Sequence, residues 1–142
     1  MRRRIWTLLV LAAALLTLAA CGKDAAEEAA GGDWRTWQPV QAQAQLTRGG
    51  QTLDALLCVY DDGAALYLDD AVQTNVGTLS FPAQMEGAGD RFLSGDFADL
   101  DSDGNSDAAL RFTQEDGSEI VMTWLWDAEA EGYVFRDAAD AG

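Results

Sequence analysis

The chain has 142 residues, with 24 acidic side chains against 9 basic ones, a net charge of −15 and no histidine. Such a charge excludes nucleic acid and anionic lipid head groups as natural partners, because both are themselves densely negative. The missing histidine excludes Ser-His-Asp and Cys-His catalysis and removes the commonest zinc and copper ligand.

Arg2, Arg3 and Arg4 open the chain and are followed by the apolar run "IWTLLVLAAALLTL" at 5–18. That run is shorter than the ~20 residues a membrane-spanning helix needs, and it ends in small residues, as a secretory signal does. Its terminus "LAAC", Leu18 to Cys21, resembles the lipobox of bacterial lipoproteins: an aliphatic residue, two small ones and a cysteine. The resemblance implies a lipoprotein signal peptide over 1–20, cleavage before Cys21, and lipidation of the Cys21 sulfur and amino group. Two or more acyl chains suffice for stable anchoring. The chain is then expected on the outer side of the bacterial cytoplasmic membrane or in an outer membrane, facing the periplasm or exterior. Loss of the three arginines leaves 6 basic residues against 24 acidic ones, a net charge of −18. Such a surface suits a cation, a basic protein partner, a cell-wall component, or solubility alone.

Residues 21–33 read as the lipidated cysteine and a flexible linker, since "GKDAAEEAAGG" at 22–32 has nothing to bury. Extended, those residues reach roughly 40 Å from the lipid. Residues 34–142 form one domain of ordinary size, with no internal repeat, and it is expected to be monomeric. Trp34 and Trp37 flank its start and are expected to close one end. The apolar runs fall at 41–48, 52–60, 64–69, 77–81, 91–97, 107–113, 118–126 and 132–136. Hairpin turns separate several of them: "RGGQ" at 48–51, "DDG" at 61–63, "EDG" at 115–117 and "EAEG" at 129–132. "QAQAQLT" at 41–47 alternates strictly, as a strand with one wet face does. "LDALLCVY" at 53–60 and "EIVMTWLW" at 119–126 are apolar at both parities, as strands covered on both faces are. No stretch after Gly32 carries a helical period. The fold class is therefore all-β, a mainly antiparallel sandwich or small barrel of about eight strands. With Cys21 lipidated, Cys58 has no disulfide partner and is expected as a buried small hydrophobe. Trp124 and Trp126 share one side of their strand, which makes them core or a binding face. The pairs Asp61–Asp62 and Asp69–Asp70 sit at strand ends and are expected to be solvated.

Residues 99–107, "DLDSDGNSD", hold four aspartates and a glycine. With Asp99 as position 1, Asp101 is 3, Asp103 is 5, Gly104 is 6, Asn105 is 7 and Asp107 is 9. A hard cation such as Ca²⁺ takes six to eight oxygens, and alternate side chains of a tightly coiled loop converge on one point. Gly104 permits the sharp turn at position 6. The expected ligands are Asp99, Asp101, Asp103, Asn105 through its carbonyl, and Asp107, with calcium as the cofactor. The alternative is an acidic, solvated turn, since these residue types all favour turns. An EF-hand is excluded: position 12 is Leu110 rather than a bidentate Glu, and the flanks read as strands. The stretch "GDFADLDSDGNSDAAL" at 95–110 instead resembles the calcium loops of FG-GAP-type repeats, which implies the same ligand set. A single copy excludes a propeller, so only the role of the loop carries over.

A second resemblance spans about residues 92–136. The aspartate loop, a strand and "TWLWDAEAEGYVF" at 123–135 are similar to a group of small exported bacterial proteins. Some of these act as periplasmic lysozyme inhibitors or immunity proteins on an antiparallel β-sandwich. No G-x-S-x-G and no phosphate loop is present, and carboxylate pairs arise by chance in so acidic a chain, so no enzymatic activity is expected. The reading is a membrane-anchored extracytoplasmic lipoprotein with a calcium-stabilised β domain in a binding role. The alternative is an inhibitor or immunity protein whose acidic face meets a cationic hydrolase such as a lysozyme.

Overall fold

The computed structural model describes residues 33–141. The expected signal peptide, the expected lipidation site Cys21 and the expected linker up to Gly32 lie outside the described residues. The chain divides into an N-terminal unit ending at Thr36 and a second unit from Trp37 onward. In the first, Trp34–Thr36 form one 3-10 turn. The Asp33 carboxylate accepts the backbone N–H of Arg35 at 3.1 Å and its guanidinium at 2.8 Å.

The second unit is a β-sandwich of two four-stranded antiparallel sheets. The strands are β1 (Val40–Arg48), β2 (Gln51–Tyr60), β3 (Gly63–Leu68), β4 (Asn75–Ser80), β5 (Phe92–Asp96), β6 (Ala108–Thr113), β7 (Glu119–Asp127) and β8 (Gly132–Asp140). Each sheet is a plain meander, ordered β1-β2-β3-β4 and β5-β6-β7-β8. Local turn chemistry explains the pairing. Gly49 and Gly50 both take positive φ, 56° and 79°, which is the twist a two-residue hairpin between Arg48 and Gln51 requires. Every apolar run becomes a strand with ends shifted by at most two residues, except that β8 continues to Asp140. That extension is polar and exposed. It forms because the first half of β7 offers an unpaired ladder, down to Ile120 opposite Asp140.

The chain crosses between the sheets through residues 81–91. This segment contains a short helix α1 (Ala88–Arg91) that the sequence period does not reveal, because a single turn shows no repeat. It folds back on the β2–β3 turn: Met85 donates to the Asp61 carbonyl at 2.7 Å and Phe81 to the Asp62 carbonyl at 3.0 Å.

Leu46, Leu57, Leu66 and Leu79 from one sheet meet Leu110, Phe112, Met122 and Trp124 from the other in one buried cluster. Edge-to-face contacts tie its aromatic half together, with ring centroids 5.5 Å apart for Phe81–Phe112 and 5.7 Å for Trp124–Phe135. Trp124 is fully buried, and its indole N–H donates to the Ser80 carbonyl at 2.9 Å, so its polar atom is satisfied across the sheets. The double parity of β2 is borne out, since residues 55–59 are all buried. Cys58 among them is free and fully buried, and burial pushes its thiol above the usual range. β7 is covered less completely, with only Met122 and Trp124 buried. Trp37, expected to close one end, is instead 62% exposed. It precedes the first strand and has no ladder to hold it inward.

Candidate metal centre

The acidic loop joins β5 to β6, and its neighbours hold it in place from two sides. On one side Ser106 pairs with the end of β1: its N–H donates to the Thr47 carbonyl and its hydroxyl accepts the Thr47 N–H, both at 2.8 Å. The side-chain oxygen of Asn105 accepts the Gly49 N–H at 3.0 Å. On the other side Asp107 is fully buried. One of its carboxylate oxygens accepts the Leu100 N–H at 2.7 Å and the other the Trp126 N–H at 2.8 Å. Its own N–H donates to the Ala98 carbonyl at 2.8 Å. A buried carboxylate is tolerated only when hydrogen-bonded in this way.

Between those supports the loop coils on its own carboxylates. Asp99 accepts the N–H groups of Asp103 at 3.1 Å and Gly104 at 2.8 Å. Asp103 accepts the Asn105 N–H at 2.8 Å. Gly104 has φ 86°, the left-handed turn that its lack of a Cβ permits. Ser102 also takes positive φ, 63°.

The result is a convergence of three carboxylates. Asp99, Asp101 and Asp107 each offer an oxygen, and these atoms all lie within 4.8 Å of one another. Ligands at Ca²⁺ distances of ~2.3–2.6 Å stand at most about 4.6–5.2 Å apart across the ion, so one cation reaches all three. These residues lie close enough to hold a metal ion. Asp103 stands outside that group, its carboxylate turned to the Asn105 N–H. Asn105 is tied by its side chain to Gly49 in the β1–β2 turn.

The electrostatics of the cluster are uneven. The Gly104 N–H, with that of Asp103, holds Asp99 below the usual carboxylate range despite some desolvation. Asp101 is pushed above it, by desolvation first and then by the charges of Asp107 and Asp103. A cation beside Asp101 relieves that repulsion.

Sequence reasoning placed the loop and its glycine but not its supports. Ser106 carries no signal in the sequence beyond being a turn former. A search of protein-family models, of curated proteins and of solved structures found nothing that matches this chain.

Proposed function

We propose that the chain is a membrane-anchored extracytoplasmic lipoprotein whose β-sandwich binds one Ca²⁺ in the 99–107 loop and serves as a binding module. The observation that carries the calcium reading is the convergence of Asp99, Asp101 and Asp107 within 4.8 Å, in a loop held from two sides. An all-oxygen, carboxylate-rich donor set suits a hard cation. A coiled loop with room for backbone carbonyls and water suits the larger, more flexible shell of Ca²⁺ better than the strict octahedron of Mg²⁺. The ion removes the mutual repulsion of the cluster in a loop already tied to both sheets, by the bonds of Ser106 to Thr47 of β1 and of Asp107 to Trp126 of β7. The anchor reading rests on "LAAC" at 18–21.

The calcium reading is tested by melting the protein with and without chelator. Extracellular modules bind with Kd on the order of 0.1–1 mM. At ~1 mM calcium and Kd ~0.1 mM, mass action stabilises the fold by about 1.4 kcal/mol, which raises Tm by roughly 5 °C or more. An unchanged melt together with no heat on calcium titration refutes the site. The anchor is tested separately by fractionation: the chain partitions with membranes, and Cys21→Ser releases it or leaves it unprocessed. A soluble protein with a free Cys21 thiol refutes the anchor.

A further inference from the structure

Arg48, the last residue of β1, is a cation with no carboxylate partner among the described residues, in a chain whose acidic residues outnumber its basic ones 24 to 9. Its guanidinium carbon sits 3.4 Å from the centroid of the Trp126 ring and 5.1 Å from that of Tyr133. Nη1 donates to the Val76 carbonyl at 2.6 Å, and Nη2 to the Tyr133 hydroxyl at 2.8 Å. Nε is buried with no acceptor. A guanidinium has five N–H donors, so each terminal nitrogen keeps one N–H unused.

These atoms wall a groove of about 630 Å³ between β4 and the β7–β8 hairpin, lined also by Gly77, Thr78 and Glu131. That is an ordinary size for a small-molecule site. Gly77 is needed for its wall, since a Cβ there would stand 2.4 Å from the Tyr133 ring and 3.4 Å from Nη2. Stacking on Trp126 holds the guanidinium plane in place before any ligand arrives. Nη1 and Nη2 each retain an N–H, and Arg48 lines the groove, so its guanidinium can offer a carboxylate charge-assisted hydrogen bonds. The surplus negative charge of the chain opposes a bare anion. Glu131 lines the same groove from the β7–β8 turn, where its φ is 50°, a left-handed backbone that few non-glycine residues adopt.

We infer that this groove binds a small zwitterion, an amino acid or short peptide, with its carboxylate on Arg48 and its ammonium toward Glu131. The inference does not rest on the metal site, because no ligand of the acidic loop lines the groove.

The test titrates the full chain with three probes of similar size: glycylglycine, its N-acetylated form and its C-terminal amide. Binding is followed by tryptophan fluorescence and calorimetry. Glycylglycine saturates, and each capped form binds roughly 10–100-fold more weakly, as loss of one charged hydrogen-bonding partner predicts. Arg48→Lys, which keeps the charge but loses the fork, weakens glycylglycine by a similar factor. Because Arg48 also supports the fold, Glu131→Gln on the exposed turn provides an independent reading: it brings glycylglycine and its N-acetyl form to similar affinity. No saturation by roughly 10 mM glycylglycine, or equal binding of the three probes, overturns the inference.

Discussion

Asp107 offers the sharpest single test of how the loop is held, because one side chain serves two purposes. It is fully buried, and its two oxygens accept the backbone N–H groups of Leu100 and Trp126 at 2.7 and 2.8 Å. Asp107→Ala removes both acceptors and leaves the Leu100 and Trp126 N–H groups without their partners at a position where the native side chain is fully buried. At ~1–3 kcal/mol per unsatisfied buried group, the loss is roughly 2–6 kcal/mol, a large share of the stability of a domain this size. Near 4–8 °C per kcal/mol, Tm falls by about 10 °C or more. Asp107→Asn keeps one acceptor and turns an amide N–H toward the other donor, so about half of that loss is expected without calcium. Part is recovered because the charge beside Asp101 disappears, and that charge helps to push Asp101 upward. The two contributions separate in a melting series at fixed pH with chelator or with ~1 mM calcium. In chelator Asp107→Asn lies between the wild type and Asp107→Ala. In calcium both variants lose the ion-dependent rise, since a converging ligand is gone. If Asp107→Ala melts like the wild type in chelator, the two hydrogen bonds contribute nothing and the structural reasoning fails. If Asp107→Asn keeps the full calcium shift, Asp107 is not a ligand.

Trp124→Ala empties the centre of the core and orphans the Ser80 carbonyl, so chemical denaturation should show a loss of about 3–5 kcal/mol; a loss below ~1 kcal/mol contradicts the assigned packing. Stability also falls on the alkaline side. Burial raises Cys58, Tyr60 and Tyr133 above their ordinary values in the folded state. Below the unfolded values both states hold these protons. As pH climbs past ~8.5 for Cys58 and ~10 for the tyrosines, the unfolded chain releases them first and is favoured. The urea midpoint should therefore be level on this account near neutrality and drop from about pH 9, and Cys58→Ala together with Tyr133→Phe should flatten the drop; an undiminished slope in that double variant assigns it to other groups.

The sequence by itself determined the strands. Strand alternation, turn glycines and the D-x-D-x-D-G-x-x-D spacing act over a few residues, so the eight strands and the coiled loop could be read in order from the chain. The loop's glycine was equally legible, since only a residue without a Cβ takes φ 86° without strain. Where no local apolar signal existed, the reading stopped short. "RDAAD" at 136–140 is polar and became strand only because β7 offered it a partner.

Tertiary structure alone decided which groups meet. It closed the strands as a sandwich rather than a barrel by ending each meander at its fourth strand. It also separated two tryptophans that share one side of β7: Trp124 went into the core and Trp126 under Arg48. Of the loop carboxylates, it gathered Asp99, Asp101 and Asp107 and turned Asp103 to Asn105. The cause is the same in each case. A side chain's direction follows from its own backbone, but its neighbours come from strands tens of residues away. Arg48 reaches Val76, Trp126 and Tyr133 only once β1, β4, β7 and β8 have packed, and no spacing in the sequence records that distance.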